Sequence, residues 1–300
     1  MKRLLRVWSG SLILFALLLS PLVPAQEPLT VEWHRVEFAP TFILAGEARD
    51  QGFGDALLRA LISRLPQYRH LMVNAPLERV LDRTNTNTHT NTNTRLACAG
   101  ALLLTAEREQ HIHFSNPFLY TPANGALIRA ADYRRFEPFL RDGRLSLGQV
   151  LQTRAFTLGI AHKRSYGPSL NALIAQHAGQ PYLIEKGGQG STLSLLSTLS
   201  KQQQHVDLVL AYPLEAAYWL KTSRSPVPLH FLPLTEAAAR EEWRVGCSRT
   251  PQGEQLIAAI NALVADPAFR QSYLSSHAQW QAQLNGVLRG APTPSKSPQP

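Results

Sequence analysis

The sequence predicts an α/β protein in which strands and helices alternate along the chain. Short apolar runs of strand length are each followed by a segment with helical periodicity. In the clearest pair, residues 206–211 are apolar except for Asp207, and residues 213–220 begin with a proline suited to the first turn of a helix. A strand buried on both faces of a parallel sheet has this nearly continuous apolar character. Two long amphipathic segments, 253–263 and 267–284, complete the predicted helices.

Residues 1–25 have the composition of an export signal. A basic head formed by Lys2, Arg3 and Arg6 precedes an apolar stretch that ends in small residues. We expect cleavage before Gln26 and a periplasmic protein; the alternative is an uncleaved membrane anchor. No later apolar stretch reaches the ~20 residues that a membrane span needs.

The charge balance of the chain is basic. Its 30 Lys and Arg against 21 Asp and Glu give a formal charge of +9, and removing the three positive charges of the signal leaves +6. The basic residues are scattered and form no run with interleaved aromatics, so we expect no nucleic-acid partner. A small anionic ligand or the anionic face of the inner membrane fits this balance better.

The first part of the predicted mature chain reads as two strand and helix units. Residues 29–42 alternate like a strand, and a helical pattern covers 56–65; residues 68–74 and 76–83 form the second unit. The tract TNTNTHTNTNT over residues 84–94 has nothing apolar to bury, and we predict a surface loop there.

Two glycine-containing turns are weaker signals of function. Gly52 and Gly54 precede a helix, as in a dinucleotide-binding loop, but the third glycine of that loop is missing. The cluster at 187–190 lacks the Lys-Ser/Thr ending of a phosphate-binding loop. We interpret both as plain turns.

The stretch 96–129 carries the most specific signal. An apolar run of strand length ends in the polar turn TAERE, which starts at Thr105, and the segment FSNPF follows from Phe114. A polar turn at the end of a strand is a common position for a ligand. If Thr105 begins a helical turn, Arg108 lies where the helix dipole disfavours a cation. That placement makes sense if Arg108 meets an anion; the alternative is a surface arginine paired with a neighbouring glutamate.

A Thr-x-x-Arg turn followed by Phe-Ser-x-Pro-Phe resembles the extracellular solute-binding proteins of ABC transporters, specifically those of the polar amino-acid type. The resemblance extends over nearly all of the mature chain, although only residues 105–118 are specific. It implies a two-lobed periplasmic-binding-protein type 2 fold with two hinge crossings. One lobe would comprise residues 27–129 and 243–284, and the other residues 130–242. The remaining residues, 285–300, are rich in proline, and we predict a disordered tail.

The resemblance also implies where a ligand binds. The expected ligand-binding residues are Phe42, Thr105, Arg108, Ser165, Tyr166 and Tyr212. Arg108 would hold a ligand carboxylate by a bidentate pair. Tyr212 stands where amino-acid binders carry an aspartate for the ligand's ammonium, and Leu103 replaces a serine. An ordinary α-amino acid would lose both polar partners, so we expect an anionic or aromatic solute.

No familiar catalytic constellation is present in the sequence, and we expect neither an enzyme nor a cofactor. His111 and His113 share one face of a predicted strand without a supporting carboxylate, so no metal site is expected. The predicted function is a monomeric binding protein that presents a solute to an inner-membrane ABC permease. The alternatives are a ligand-sensing partner of a membrane signalling protein and a dehydratase-like enzyme on the same scaffold.

Cys98 and Cys247 are the two cysteines of the chain. In the fold that the resemblance implies, their strands are neighbours in one sheet, and the periplasm is oxidising. We expect a disulfide bond, with two free cysteines acting as small apolar core residues as the alternative.

Overall fold

A computed structural model of the protein describes residues 28–86, 95–201 and 206–290. The predicted export signal, residues 87–94 of the Thr/Asn tract and the segment beyond residue 290 lie outside these described residues. Within the described ranges, no helix combines the length and the apolar character that crossing a membrane requires.

Strands and helices alternate through most of the described chain, as the apolar periodicity predicts. The strands are β1 (Thr30–Arg35), β2 (Arg69–Asn74), β3 (Arg95–Leu102), β4 (Ile112–Phe114), β5 (Leu119–Pro122), β6 (Gly125–Arg129), β7 (Leu140–Arg141), β8 (Arg144–Leu145), β9 (Leu158–Ala161), β10 (Leu183–Lys186), β11 (Leu208–Ala211), β12 (Leu229–Leu232) and β13 (Arg240–Ser248). The α-helices are α1 (Phe53–Arg64), α2 (Leu77–Thr86), α3 (Ala106–Glu109), α4 (Tyr133–Phe136), α5 (Leu147–Thr153), α6 (Pro168–Gln176), α7 (Ser191–Ser200), α8 (Pro213–Ser223), α9 (Pro251–Ala265) and α10 (Pro267–Leu284).

Lobe 1 is built on a sheet with the strand order β2-β1-β3-β13-β4, and β5 also pairs with β13. β1 is parallel to β2 and β3, whereas β13 returns antiparallel to β3 and β4. Side chains of α1, α9 and α10 bury one face of this sheet in a core that includes Trp33, Leu57, Ile260 and Phe269. Removing such side chains from water is the main driving force for this packing.

Lobe 2 has its own sheet, with the strand order β10-β9-β11-β6-β12. Helices α5 and α6 cover one face and α7 and α8 the other, which gives two separate apolar clusters. Leu158 and Leu210 belong to the first cluster, and Leu196 and Val209 to the second. Strands with a core on both faces need the continuous apolar sequence seen in residues 206–211.

The chain passes from one sheet to the other between β5 and β6 and returns between β12 and β13. Residues Gly125–Arg129, which the sequence assigned to lobe 1, form β6 and pair with β11 and β12 of lobe 2. Lobe 1 resumes at Arg240 rather than at residue 243, because Arg240 pairs with Pro122 of β5. Both predicted boundaries were wrong by a few residues, since the strand partners that decide them are distant in sequence.

Two segments predicted to lack regular structure are ordered in part. Thr84, the first residue of the Thr/Asn tract, belongs to α2 and is fully buried, with its hydroxyl donating to the Val80 carbonyl at 3.0 Å. Residues 285–290 were assigned to the tail, yet Leu288 is buried and the Phe231 N–H donates to the Arg289 carbonyl at 2.8 Å. The predicted tail is therefore wrong for residues 285–290.

Cys98 of β3 lies directly opposite Cys247 of β13, and the structure joins their sulfurs at 2.06 Å. Both side chains are fully buried. The bond connects the strand that leads into the TAERE turn to the strand that returns from lobe 2.

Candidate functional site

The TAERE turn places Arg108 at the end of β3, facing lobe 2. Thr105 caps the single turn of α3, because its hydroxyl accepts the Arg108 backbone N–H at 3.2 Å. The Arg108 guanidinium donates to the Leu103 carbonyl at 2.9 Å and to the Lys163 carbonyl at 3.0 Å. The second bond crosses from lobe 1 to lobe 2.

The charge of Arg108 is buried, and the described residues give it no counter-ion. The residue is 9% exposed, and no carboxylate of the described residues forms a salt bridge with it. Burial lowers the pKa of the Arg108 guanidinium, and the negative charge of Glu107 offsets this only in part. Two carbonyl dipoles thus solvate a cation that an anion would stabilise further.

A second buried arginine, Arg164 of lobe 2, is neutralised. Its guanidinium forms a bidentate pair with the Glu215 carboxylate, at 3.0 Å to Oε1 and 2.9 Å to Oε2. It also donates to the Thr192 hydroxyl at 2.7 Å and to the Asn124 side-chain oxygen at 3.1 Å. Burial is the largest single effect and lowers the pKa of Arg164, but the charge and hydrogen bonds of Glu215, together with Tyr166 and Tyr212, outweigh burial and raise the pKa above its ordinary value.

Aromatic rings of both lobes surround the Arg164 guanidinium. It lies 4.9 Å from the ring centre of Phe38, 5.1 Å from that of Tyr212 and 5.3 Å from that of Tyr166. Phe38 and Trp243 of lobe 1 contact Tyr212 of lobe 2, with ring centres 5.9 and 5.2 Å from it. We call Phe38, Tyr212 and Trp243 the aromatic partition, because cavities lie on both of its sides.

Two cavities lie between the lobes on the Arg108 side of the partition. The inner cavity has a volume of about 90 Å³ and the outer cavity one of about 380 Å³. Arg108, Arg164 and Ser165 border both cavities, so the Arg108 contact with lobe 2 stands between them. At the rim, the Glu37 N–H donates to Gln189 Oε1 at 2.9 Å, which is a further bond between the lobes.

The six predicted ligand-binding residues all border these cavities. Phe42, Arg108, Ser165 and Tyr212 line the inner cavity, and Thr105 and Tyr166 line the outer one. The Phe42 ring also packs into lobe 1, where a Cβ at Gly54 would come within 2.7 Å of it. Gly54 is therefore required for close packing. The ring that contacts Arg164 is Phe38, four residues earlier.

Ser165 and Tyr166 shape the loop that holds Arg164. The Ser165 hydroxyl accepts the Asn171 side-chain N–H at 2.9 Å. The Tyr166 hydroxyl accepts the Ala161 N–H at 2.8 Å, and burial raises the pKa of Tyr166 to about 12. These internal bonds fix the loop backbone and with it the direction of Arg164.

Sequence reasoning missed Phe38, Arg164, Thr192 and Glu215. Glu215 carries a local signal: it is the third residue of a helix that begins with proline, and its carboxylate accepts the Tyr212 N–H at 3.3 Å. A glutamate in such a capping box is ordinarily exposed, so the sequence does not show that Glu215 is buried against Arg164. Arg164 lies next to the predicted Ser165, but nothing local distinguishes it from a surface arginine.

One further buried acid, Glu241, lies in β13, directly after the second crossing between the lobes. Burial raises the pKa of its carboxyl group to about 7, and the charge of Arg164 opposes this rise. A Cβ at Gly167 would lie only 3.1 Å from Glu241 Oε1. The carboxyl group of Glu241 is therefore packed closely against Gly167 at the start of α6. Glu241 lines neither the inner nor the outer cavity. Over the described residues, no group of three or more His, Cys, Asp and Glu side chains could hold a metal ion.

Comparisons with known proteins identify the fold. Neither a family model nor a curated protein matches the sequence. A histidine kinase sensor domain with similarity to periplasmic binding proteins matches with a TM-score of 0.62 and 11% identity, over 87% of this chain and 97% of that chain. The arginine-, lysine-, histidine-binding protein ArtJ from Geobacillus stearothermophilus matches with a TM-score of 0.61 and 14% identity, over 84% of this chain and 94% of that chain. The periplasmic VFT2 domain of BvgS from Bordetella pertussis matches with a TM-score of 0.56 and 14% identity, over 84% of this chain and 92% of that chain.

These likenesses confirm the predicted two-lobed α/β fold, and the resemblance to amino-acid substrate-binding proteins holds at the level of the fold. Both transport-type binding proteins and sensor domains are among the similar structures. At identities of 11–14%, the likeness shows the fold alone.

Proposed function

We propose that the protein is a non-enzymatic, periplasmic binding protein that captures a small anionic solute between its lobes, with Arg108 as the residue that pairs with the anion. The observation that carries the proposal is the buried Arg108 guanidinium, which bridges the lobes and has no carboxylate partner within the described chain. Arg164, by contrast, is already neutralised by Glu215. A carboxylate that replaced the carbonyl contacts of Arg108 would form a stronger, bidentate pair.

The geometry also indicates where the lobes would enclose the solute. The inner cavity of about 90 Å³ lies beside the outer cavity of about 380 Å³, and the Arg108 contact stands between them. If the lobes part enough to free Arg108 from Lys163, the two spaces join, and closure over a ligand then restores the contact between the lobes.

We propose an inner-membrane ABC permease as the partner that receives the solute.

The test is a thermal-shift screen of the wild type and Arg108→Ala against carboxylates, aromatic acids, amino acids and polyamines. Binding raises the melting temperature by an amount set by ligand concentration over Kd. We expect a carboxylate to stabilise the wild type and Arg108→Ala to weaken its binding about a hundredfold. Arg249→Ala is the matched control, because exposed Arg249 also donates to a carbonyl, that of Glu109 at 2.7 Å, outside the cleft. Equal affinities of Arg108→Ala and Arg249→Ala would contradict the proposal.

A ligand-sensing role is the second candidate. The lobes already touch through Arg164 and Phe38, so a cation of the protein lies against an aromatic ring of the opposite lobe. A sensor in which a ligand changes this contact needs only a shift between two lobe arrangements. Uptake of the radiolabelled best ligand by cells with and without the gene separates the roles: lost uptake supports transport, whereas unchanged uptake supports sensing.

A further inference from the structure

A third cavity lies behind the aromatic partition, on the side away from Arg108. It has a volume of about 280 Å³ and reaches from Thr121 of β5, just before the first crossing between the lobes, to helix α10 and Leu288. We call it the rear chamber. An apolar cavity of ~150 Å³ in a protein is large enough for benzene, so a chamber of this size can hold a molecule of one or two rings.

The walls of the rear chamber are mainly aromatic and aliphatic. The partition forms one side, Phe53 of lobe 1 and Leu214 of lobe 2 contribute to others, and Leu284 and Leu288 close it from the C-terminal end. Among the described residues that line it, Glu215 is the charged side chain, and its charge is paired with Arg164. Such a site offers apolar contact and ring stacking but no counter-ion, which favours a neutral ligand.

One buried polar group in the wall, the Thr121 hydroxyl, has no hydrogen-bond partner among the described residues; Thr121 is 8% exposed. A second polar side chain, His277, also lines the wall. It is 4% exposed, and its ring contacts Phe53 edge-on with centres 4.8 Å apart. Burial lowers the pKa of His277 to about 4, so its ring is neutral at pH 7 and offers one donor and one acceptor. A buried polar group without a partner is costly, and a ligand with a polar edge would satisfy it.

The chamber is formed jointly by the two lobes. Thr121 belongs to β5 of lobe 1, Leu214 to α8 of lobe 2, and His277 to α10. A molecule bound there would contact both lobes at once. The aromatic partition separates it from Arg108, which does not line the chamber.

We propose that the rear chamber is a second small-molecule site, which binds a neutral aromatic compound of one or two rings carrying a hydrogen-bonding group. The rings pack against the partition and Phe53, and the polar group meets Thr121 and His277. The site is independent of the anion pairing proposed for Arg108.

The experiment uses 5-fluoroindole as the probe and follows its binding to the full chain by fluorine NMR. The informative variant is Thr121→Val, which keeps the side-chain shape and removes a hydroxyl that has no hydrogen-bond partner in the described part of the chain. Thr84→Val is the matched control, because Thr84 is also buried but lies in α2, away from the chamber. A second variant, Ala217→Met, places a longer, flexible side chain in the chamber wall.

The expected result is saturable binding to the wild type, about fivefold weaker binding to Thr121→Val and no detectable binding to Ala217→Met. Thr84→Val and Arg108→Ala should retain the wild-type affinity. No saturable binding to the wild type, or equal affinities of Thr121→Val and Thr84→Val, would overturn the proposal. Loss of probe binding in Arg108→Ala would also overturn it, because the probe would then occupy the Arg108 cleft. If Ala217→Met does not fold, the probe affinities of Thr121→Val and Thr84→Val still test whether the probe binds in the rear chamber.

Discussion

Replacing Glu215 by glutamine tests whether the Arg164 pair supports the arrangement of the cleft. Glu215 is 3% exposed, and its carboxylate accepts two hydrogen bonds from Arg164, at 3.0 and 2.9 Å. Glutamine keeps the side-chain length but removes the negative charge, so the buried guanidinium loses its counter-ion. Breaking a buried ion pair in this way costs about 3–5 kcal/mol. Because 1 kcal/mol shifts the melting temperature of a domain of 150–250 residues by about 2–4 °C, we expect Glu215→Gln to lower it by about 10 °C.

The assay is thermal unfolding at pH 7.5, followed by circular dichroism. Glu185→Gln is the matched control, because that carboxylate is 43% exposed and contacts His162 at 2.8 Å on the surface. An exposed pair contributes about 0–1 kcal/mol, so the control should melt within a few degrees of the wild type. The double variant Arg164→Met with Glu215→Leu removes both charges and should recover most of the loss. Equal melting temperatures of Glu215→Gln and Glu185→Gln would refute the reasoning, and a double variant as unstable as Glu215→Gln would assign the loss to packing.

Two further predictions concern pH and the disulfide bond. Since the folded-state pKa of Glu241, about 7, lies above its ordinary value of 4.5, ionisation of this carboxyl group lowers the free energy of unfolding as the pH rises through that window. Between pH 5 and pH 8, the free energy of unfolding of Glu241→Gln should therefore rise by up to about 3 kcal/mol relative to that of the wild type. Urea unfolding measures this difference, and parallel pH profiles of the two proteins would contradict it. Reduction of the Cys98–Cys247 bond, which spans 149 residues, should lower the free energy of unfolding by on the order of 5 kcal/mol through the greater entropy of the unfolded chain. Guanidinium unfolding with and without reductant measures this change, and alkylation of the unreduced, unfolded protein followed by mass measurement should label neither cysteine.

Local chemistry predicted several of the helices and strands and the position of the TAERE turn. Apolar periodicity and proline positions located α8 within three residues of its observed end, and the TAERE turn placed Thr105 and Arg108 at the end of β3. These features depend on a few neighbouring residues, which is why a sequence can show them. The boundaries between the lobes could not be found in this way, because β6 is an apolar strand whose lobe is decided by its partners β11 and β12.

The sequence by itself therefore determined the α/β class, the two-lobed fold through its resemblance, and the position of Arg108. The tertiary structure alone decided the surroundings of Arg108 and Arg164. Glu215 is 51 residues from Arg164 and Lys163 is 55 residues from Arg108, so neither contact leaves a trace in local sequence. Phe38 and Phe42 are the same residue type four positions apart, and the chain path sends Phe38 to Arg164 and packs Phe42 against Gly54. Whether a buried charge is neutralised depends on which distant side chains the folded chain brings to it, and the two arginines differ for that reason.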